Sequence, residues 1–185
     1  LLKILEALAT RLSWDVAAYW KAETGGVLAC EHAWSAPIPG LGVFVELTRR
    51  SRPRLGRDLP GRVWASGKAV LLEDVGFESN FPRWPVAQVG GLRSGFGFPV
   101  RAGRKVVGVI ELFSRGAPAR DPVVLRMLGQ KASLQYVQDV LIESYRQDLK
   151  ALDPVADVDR RIIALAQMGE LLWNRSCKIT GVYGL

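Results

Sequence analysis

The 185-residue chain carries 25 Lys and Arg against 18 Asp and Glu, a formal charge of +7, with 49% apolar and 23% charged residues. That balance is the composition of an ordinary globular chain and argues against disorder. The longest apolar runs, such as "VVGVI", fall far short of the ~20 residues a membrane-spanning helix needs. The single histidine, His32, and the two distant cysteines, Cys30 and Cys177, are too few for a structural zinc site and read as reduced, unpaired thiols. Neither a metal nor a cofactor is expected. The chain opens on Leu1 without a charged-then-apolar leader and reads as a cytoplasmic segment of a longer protein.

In chain order, Leu1, Leu5, Leu8 and Leu12, with Ile4 beside them, give residues 1–12 one apolar stripe and predict an amphipathic helix. Residues 16–21 and 27–34 flank Thr24-Gly25-Gly26 and read as a hairpin. After "SAPIPGLG", residues 43–50 suit a short helix. In "LPGRVWASG" Pro60 fits a first helical turn and Gly67 a left-handed stop, and residues 69–72 follow as a strand. The Pro- and Gly-rich stretch "FESNFPRWPVAQVGGL" reads as a loop with a short helix over residues 86–89. A second hairpin turns at Ala102-Gly103-Arg104. Its first strand alternates Ser94, Phe96, Phe98 and Val100 with Arg93, Gly95, Gly97 and Pro99. Its second, residues 106–113, is apolar on both faces and so belongs at the centre of a sheet. A long helix is predicted over 121–152, with Asp121 as cap and Pro122 at its first position. A second covers 157–173, and residues 174–185 carry no assignment. The layout is α+β with an antiparallel sheet. Residues 1–150 form one domain, and 151–185 a helical extension or a linker to a further domain.

Five arginines, Arg49, Arg50, Arg52, Arg54 and Arg57, crowd one Pro- and Gly-containing loop. They are the best case for phosphate binding, but no recognition helix, zinc finger or RNA-binding aromatic motif accompanies them. A solvated loop is the reading they favour, and nucleic acid is not an expected partner. Cys30 and His32 stand two apart on a predicted strand, so they would share a face. They offer the one reactive pair from which a small-molecule enzyme could be argued.

The ordered set "LPGRVWASG", "AVLLEDV", "NFPRW", "GLRSGFGFPV" and "KVVGVIELFSR" resembles a GAF domain, with the likeness running over residues 1–142. It is most similar to the GAF sensor modules that precede histidine kinase, diguanylate cyclase or PAS modules in bacterial signalling proteins. The resemblance implies a PAS-related, six-stranded antiparallel sheet. Terminal helices would cover one face, and loops and short helices would build a pocket on the other. It implies a lid helix carrying Trp64, closure by Phe81 and Trp84, and a strand face thinned by Gly95 and Gly97. The candidate ligand-binding residues are Trp64, Phe81, Trp84, Arg93, Ser94, Phe96 and Phe98. Two alternatives stay open: the aromatic residues fill the hollow themselves, or Arg93 pairs with Glu73, Asp74 or Glu111. The cyclic-nucleotide motif, the pigment-attaching cysteine, an axial haem histidine in a convincing place and the cysteines of methionine-sulfoxide-reducing members are all missing from the matching regions.

The function implied is non-catalytic: a sensory or regulatory module that binds a small molecule or partner in its pocket. The signal would pass onward through the long C-terminal helix. About 30 residues of helix span about 45 Å, longer than the sheet beneath, so its far half needs another helix and a homodimer through terminal helices is expected.

Overall fold

The computed structural model describes residues 1–102 and 104–116, together with residues 139, 142–143, 146–147, 149–150, 160 and 163–169. Inter-residue contacts divide the chain into two compact units, Leu1–Leu134 and Gln135–Leu185. In the first unit, helix α1 (Leu2–Arg11) leads into strands β1 (Val16–Ala22) and β2 (Leu28–Ser35). Helices α2 (Leu41–Arg50) and α3 (Asp58–Ser66), strand β3 (Val70–Leu72) and a 3₁₀ turn (Val75–Phe77) follow. The unit continues through α4 (Trp84–Val89), β4 (Ser94–Ala102) and β5 (Lys105–Ser114). The strands form one antiparallel sheet in the order β2-β1-β5-β4-β3. Among the described residues the sheet therefore has five strands, not the six expected.

Local chemistry explains the boundaries. Gly40 takes φ 89° just ahead of α2, so that helix starts two residues before the apolar pattern suggested. Gly67 ends α3 in the left-handed region, φ 62°, where a residue without Cβ pays no steric penalty. Strand β5 is bonded on both sides, to β1 and β4, as its two apolar faces require.

The two faces of the sheet differ. On one, α1 packs through Ile4, Leu5, Leu8 and Ala9 against β1 and β2. Phe96 of β4 stacks with Trp14 and Phe98, at ring-centroid separations of 6.3 and 5.5 Å. On the other, Val16, Ala18 and Trp20 of β1 and Val109 and Phe113 of β5 share a core with residues of α2, α3 and α4. Here β4 presents Gly95 and Gly97. A Cβ on Gly97 would stand 2.8 Å from Val63 and 3.1 Å from Leu59, so the bare strand surface is what lets α3 lie down on the sheet. Helix α3 makes the close approach for which the glycines leave room.

The long helices predicted over 121–152 and 157–173 fall largely outside the described residues, and the tail 174–185 entirely so; the described residues within those helices are helical.

Candidate functional site

The centre of the α2/α3/α4 layer is a charged cluster. Arg83, the residue before α4, is 2% exposed, and Thr48, Asp58 and Glu111 around it are buried as well. Its Nε donates to Asp58 Oδ2 at 2.7 Å and its Nη2 to Asp58 Oδ1 at 3.1 Å. The same guanidinium grips Glu111 of β5 in a two-pronged fork, Nη1 to Oε1 at 2.7 Å and Nη2 to Oε2 at 2.8 Å. Nη1 also donates to Thr48 Oγ1 at 3.0 Å. An arginine has five N–H donors, and all five are used. The guanidinium carbon lies 5.2–5.4 Å from the ring centroids of Trp20, Phe44, Phe81 and Phe113, within cation–π range of each.

Two carboxylates face one guanidinium here, and the titration of the cluster follows. Burial would lower the Arg83 pKa, but Glu111 and Asp58 together hold it above the ordinary arginine range. Burial pushes the Glu111 carboxyl above the usual carboxylate range; Arg83 pulls against that and the charge of Asp58 adds to it. Asp58 is placed by its backbone, held at φ 60°, a region that aspartate enters more readily than most side chains. Its N–H donates to Asn80 Oδ1 at 3.2 Å, and Asn80 Nδ2 donates to Gly56 O at 2.7 Å. Asn80 thus ties the start of α3 to the loop that carries Arg83.

Apart from this cluster, a cleft of about 420 Å³ is lined by Asp74, Gly76, Phe77, Trp84, Gln88, Gly91, Leu92 and Arg93. The Trp84 ring rests on the backbone of Gly76, 2.9 Å from where a Cβ would stand. Phe77 is 91% exposed at the rim. Asp74 Oδ1 accepts from the Gly76 N–H at 2.8 Å. Arg83 and Trp84, neighbours in sequence, thus serve two different places: the guanidinium points into the buried cluster and the indole into the open cleft.

The seven candidate residues divide among three places. Trp84 and Arg93 line the cleft together. Phe81 is buried against Phe44, Phe113 and the Arg83 guanidinium, and Trp64 is half-buried against the same core. Phe96 and Phe98 project from the opposite face of β4, towards Trp14, because side chains alternate along a strand. Ser94 is buried with them in the alternation, and its Oγ donates to Gly116 O at 2.8 Å. The pairing considered between Arg93 and Glu111 is not made: Glu111 belongs to Arg83, and the Arg93 side chain is exposed.

Sequence reasoning missed Arg83, Asp58, Glu111 and Thr48 as a group. The signal was Glu111, a lone carboxylate in the two-face apolar run "VVGVIELF". A carboxylate there has to find a cation.

Nor are Cys30 and His32 brought together. Tyr19 pairs with His32 and Trp20 with Cys30, so Glu31 is the extra residue of a β-bulge. The bulge turns Cys30 to the face of Trp20 and His32 to the face of Tyr19. What remains is a weak contact at 3.5 Å from Cys30 Sγ to the His32 carbonyl. Burial, then the charge of Glu111, pushes the Cys30 thiol up to about 12. The arginine loop is anchored by its backbone: Gly56 N donates to Gly61 O and Leu28 N to Pro53 O, both at 2.9 Å. Arg49 reaches back to Ala33 O, while all five arginines remain exposed.

This arrangement of sheet and overlying helices recurs in solved structures. Free methionine-R-sulfoxide reductase from Neisseria meningitidis, in complex with its substrate, superposes with a TM-score of 0.56 at 19% identity, covering 80% of this chain and 78% of that one. A Staphylococcus aureus NreA protein mutated in its nitrate binding site gives 0.52 at 18% identity, covering 65% and 87%. The GAF domain of A. aeolicus nlh2 in an inactive state gives 0.52 at 18%, covering 69% and 72%. At such identities the likeness speaks for the fold. No curated protein matches the sequence. The family model for the GAF domain matches residues 1–134, and on that match, with the fold in agreement, the chain belongs to the GAF domain family.

Proposed function

We propose that this GAF domain is a non-catalytic sensory module of a cytoplasmic bacterial signalling protein of the histidine kinase or diguanylate cyclase type. It receives a small molecule or a partner at the outer cleft and passes the change to its C-terminal helical segment, in a homodimer held by terminal helices. The observation that carries the reading is the wiring of the cleft wall to the end of β5. The Arg93 N–H donates to Ser114 O at 2.8 Å, and Ser94 Oγ donates to Gly116 O at 2.8 Å. The Arg115 N–H donates to Asp15 Oδ2 at 2.8 Å, and the Arg115 side chain lies beside Gly91. A group that draws Arg93 into the cleft therefore pulls on the residues leading into the C-terminal segment.

The interior supports the same reading. The space between sheet and overlying helices is filled by Arg83, four aromatic rings and two carboxylates that are spent on the guanidinium, which leaves reception to the cleft.

A thermal-shift screen of small polar metabolites tests this reading. The expected result is stabilisation by at least one compound class, lost in Trp84→Ala and Arg93→Ala when each variant is compared with its own ligand-free Tm. Stabilisation indifferent to both substitutions would overturn it.

A further inference from the structure

We propose that the space enclosed by Trp20, Phe44, Phe81, Phe113, Asp58 and Glu111 is a binding site for a planar cation of the guanidinium class, with Arg83 as its built-in occupant.

A buried arginine that serves only to hold two elements together needs one carboxylate and some packing. This one sits in a receptor. Four aromatic rings surround the guanidinium carbon at 5.2–5.4 Å, the arrangement by which proteins capture organic cations. Two carboxylates and a hydroxyl then match every N–H of the fork, so the walls read the shape of a guanidinium as well as its charge. Three different elements supply those polar walls: Thr48 from α2, Asp58 from α3 and Glu111 from β5. The walls hold two carboxyl groups and a hydroxyl and no cation of their own, so they attract one whether or not it is tethered. Asp58, at φ 60°, is held in place to complete them: its N–H donates to Asn80 Oδ1 and its Oδ1 accepts from the Leu59 N–H.

The occupant arrives differently. It does not come from the sheet or from a helix interior but from the residue before the six-residue α4, on the loop "NFPRW". Of the groups that touch the guanidinium only Phe81 comes from that loop, which also steadies Asp58 through Asn80. The domain therefore carries a guanidinium receptor whose ligand is a side chain on its own lid. The site would open to free guanidino compounds only when that lid is displaced.

Separating the occupant from its tether tests the proposal. Arg83→Gly removes the guanidinium and leaves its space, and methylguanidinium chloride is supplied at low millimolar concentration, well below the denaturing range of such salts. The variant is expected to lose stability. Methylguanidinium is then expected to raise its Tm by at least about 3 °C beyond equimolar sodium chloride, because a ligand that binds only the folded state stabilises it. Wild type, its site filled, should show no such gain, and the response should vanish in Arg83→Gly/Glu111→Gln. If Arg83→Gly does not fold alone, recovery of the native circular dichroism on adding methylguanidinium is the same positive result, and Arg83→Ala repeats the measurement with less backbone freedom. Equal responses in wild type and variant would overturn the proposal. So would no response in either variant, or a response that survives Glu111→Gln. Trp84 and Arg93 are intact throughout, so the outcome is independent of whether the cleft binds a ligand.

Discussion

Arg83 and Glu111, 28 residues apart in sequence, meet in a parallel fork at 2.7 and 2.8 Å with neither side chain more than 2% exposed. One partner comes from a loop at the lid and the other from the central strand, so this contact fixes how far the lid stands from the sheet. The geometry is strong and the desolvation cost is large, which is why removing one partner of such a pair typically costs about 3–5 kcal/mol.

That cost should depend on pH with a definite sign. The folded-state pKa of Glu111 is raised above the ordinary 4.5, so between 4.5 and the folded value the native state holds a proton that the unfolded chain gives up. Stability from this group is complete below the ordinary value and is lost as pH rises through the folded one. The unfolding free energy of wild type minus that of Glu111→Gln should therefore fall with rising pH above 4.5, by up to about 1.4 kcal/mol per pH unit. Urea denaturation across pH 4.5–8 measures it. A difference that grows with pH would mean that Glu111 is stabilised as the anion.

Gly97 sets the distance between β4 and α3. Its missing Cβ would stand 2.8 Å from Val63 Cγ2 and 3.1 Å from Leu59 Cδ1, both buried. Gly97→Ala should destabilise the domain by about 1–3 kcal/mol through overpacking, against the usual gain from replacing a strand glycine. Combining it with Val63→Ala should return part of the loss. An unchanged urea midpoint would show that α3 floats on the sheet.

Cys30 should be a poor nucleophile. With its pKa pushed up to about 12, first by burial and then by the charge of Glu111, almost none of it is thiolate at neutral pH. Iodoacetamide labelling followed by peptide mass mapping should find Cys30 alkylated far more slowly in the folded protein than in urea. Equal rates would revive the thiol as a reactive group.

The sequence made the backbone plan legible: hairpin about Gly25-Gly26, left-handed stop at Gly67, second hairpin, central β5. These follow from local rules, alternation and the conformational freedom of glycine at turns, and they survive folding because nothing distant contradicts them. Trp84 was legible as part of the closure and Arg93 as a polar group of the pocket, and the structure brings the two to one cleft. The buried cluster was not legible. Arg83, Asp58 and Glu111 are spread over 54 positions, and nothing local marks an arginine between a proline and a tryptophan as interior. The faces of Phe96 and Phe98 were misjudged for a related reason. Alternation says which residues share a face but not which face the lid covers. The bulge at Glu31 broke the rule that would have joined Cys30 to His32: one extra residue inverts the alternation beyond it.

The division of labour between a filled interior and a receiving cleft is tested most directly by amide NMR of the isotopically labelled domain, titrated with a stabilising compound from the thermal-shift screen. Shifts should concentrate at Gly76, Trp84 and Gly91–Arg93 and continue to Ser114–Gly116, while Trp20, Phe44, Glu111 and Phe113 stay in place. Shifts centred on those interior residues, with the Arg83 side-chain resonances displaced, would contradict it.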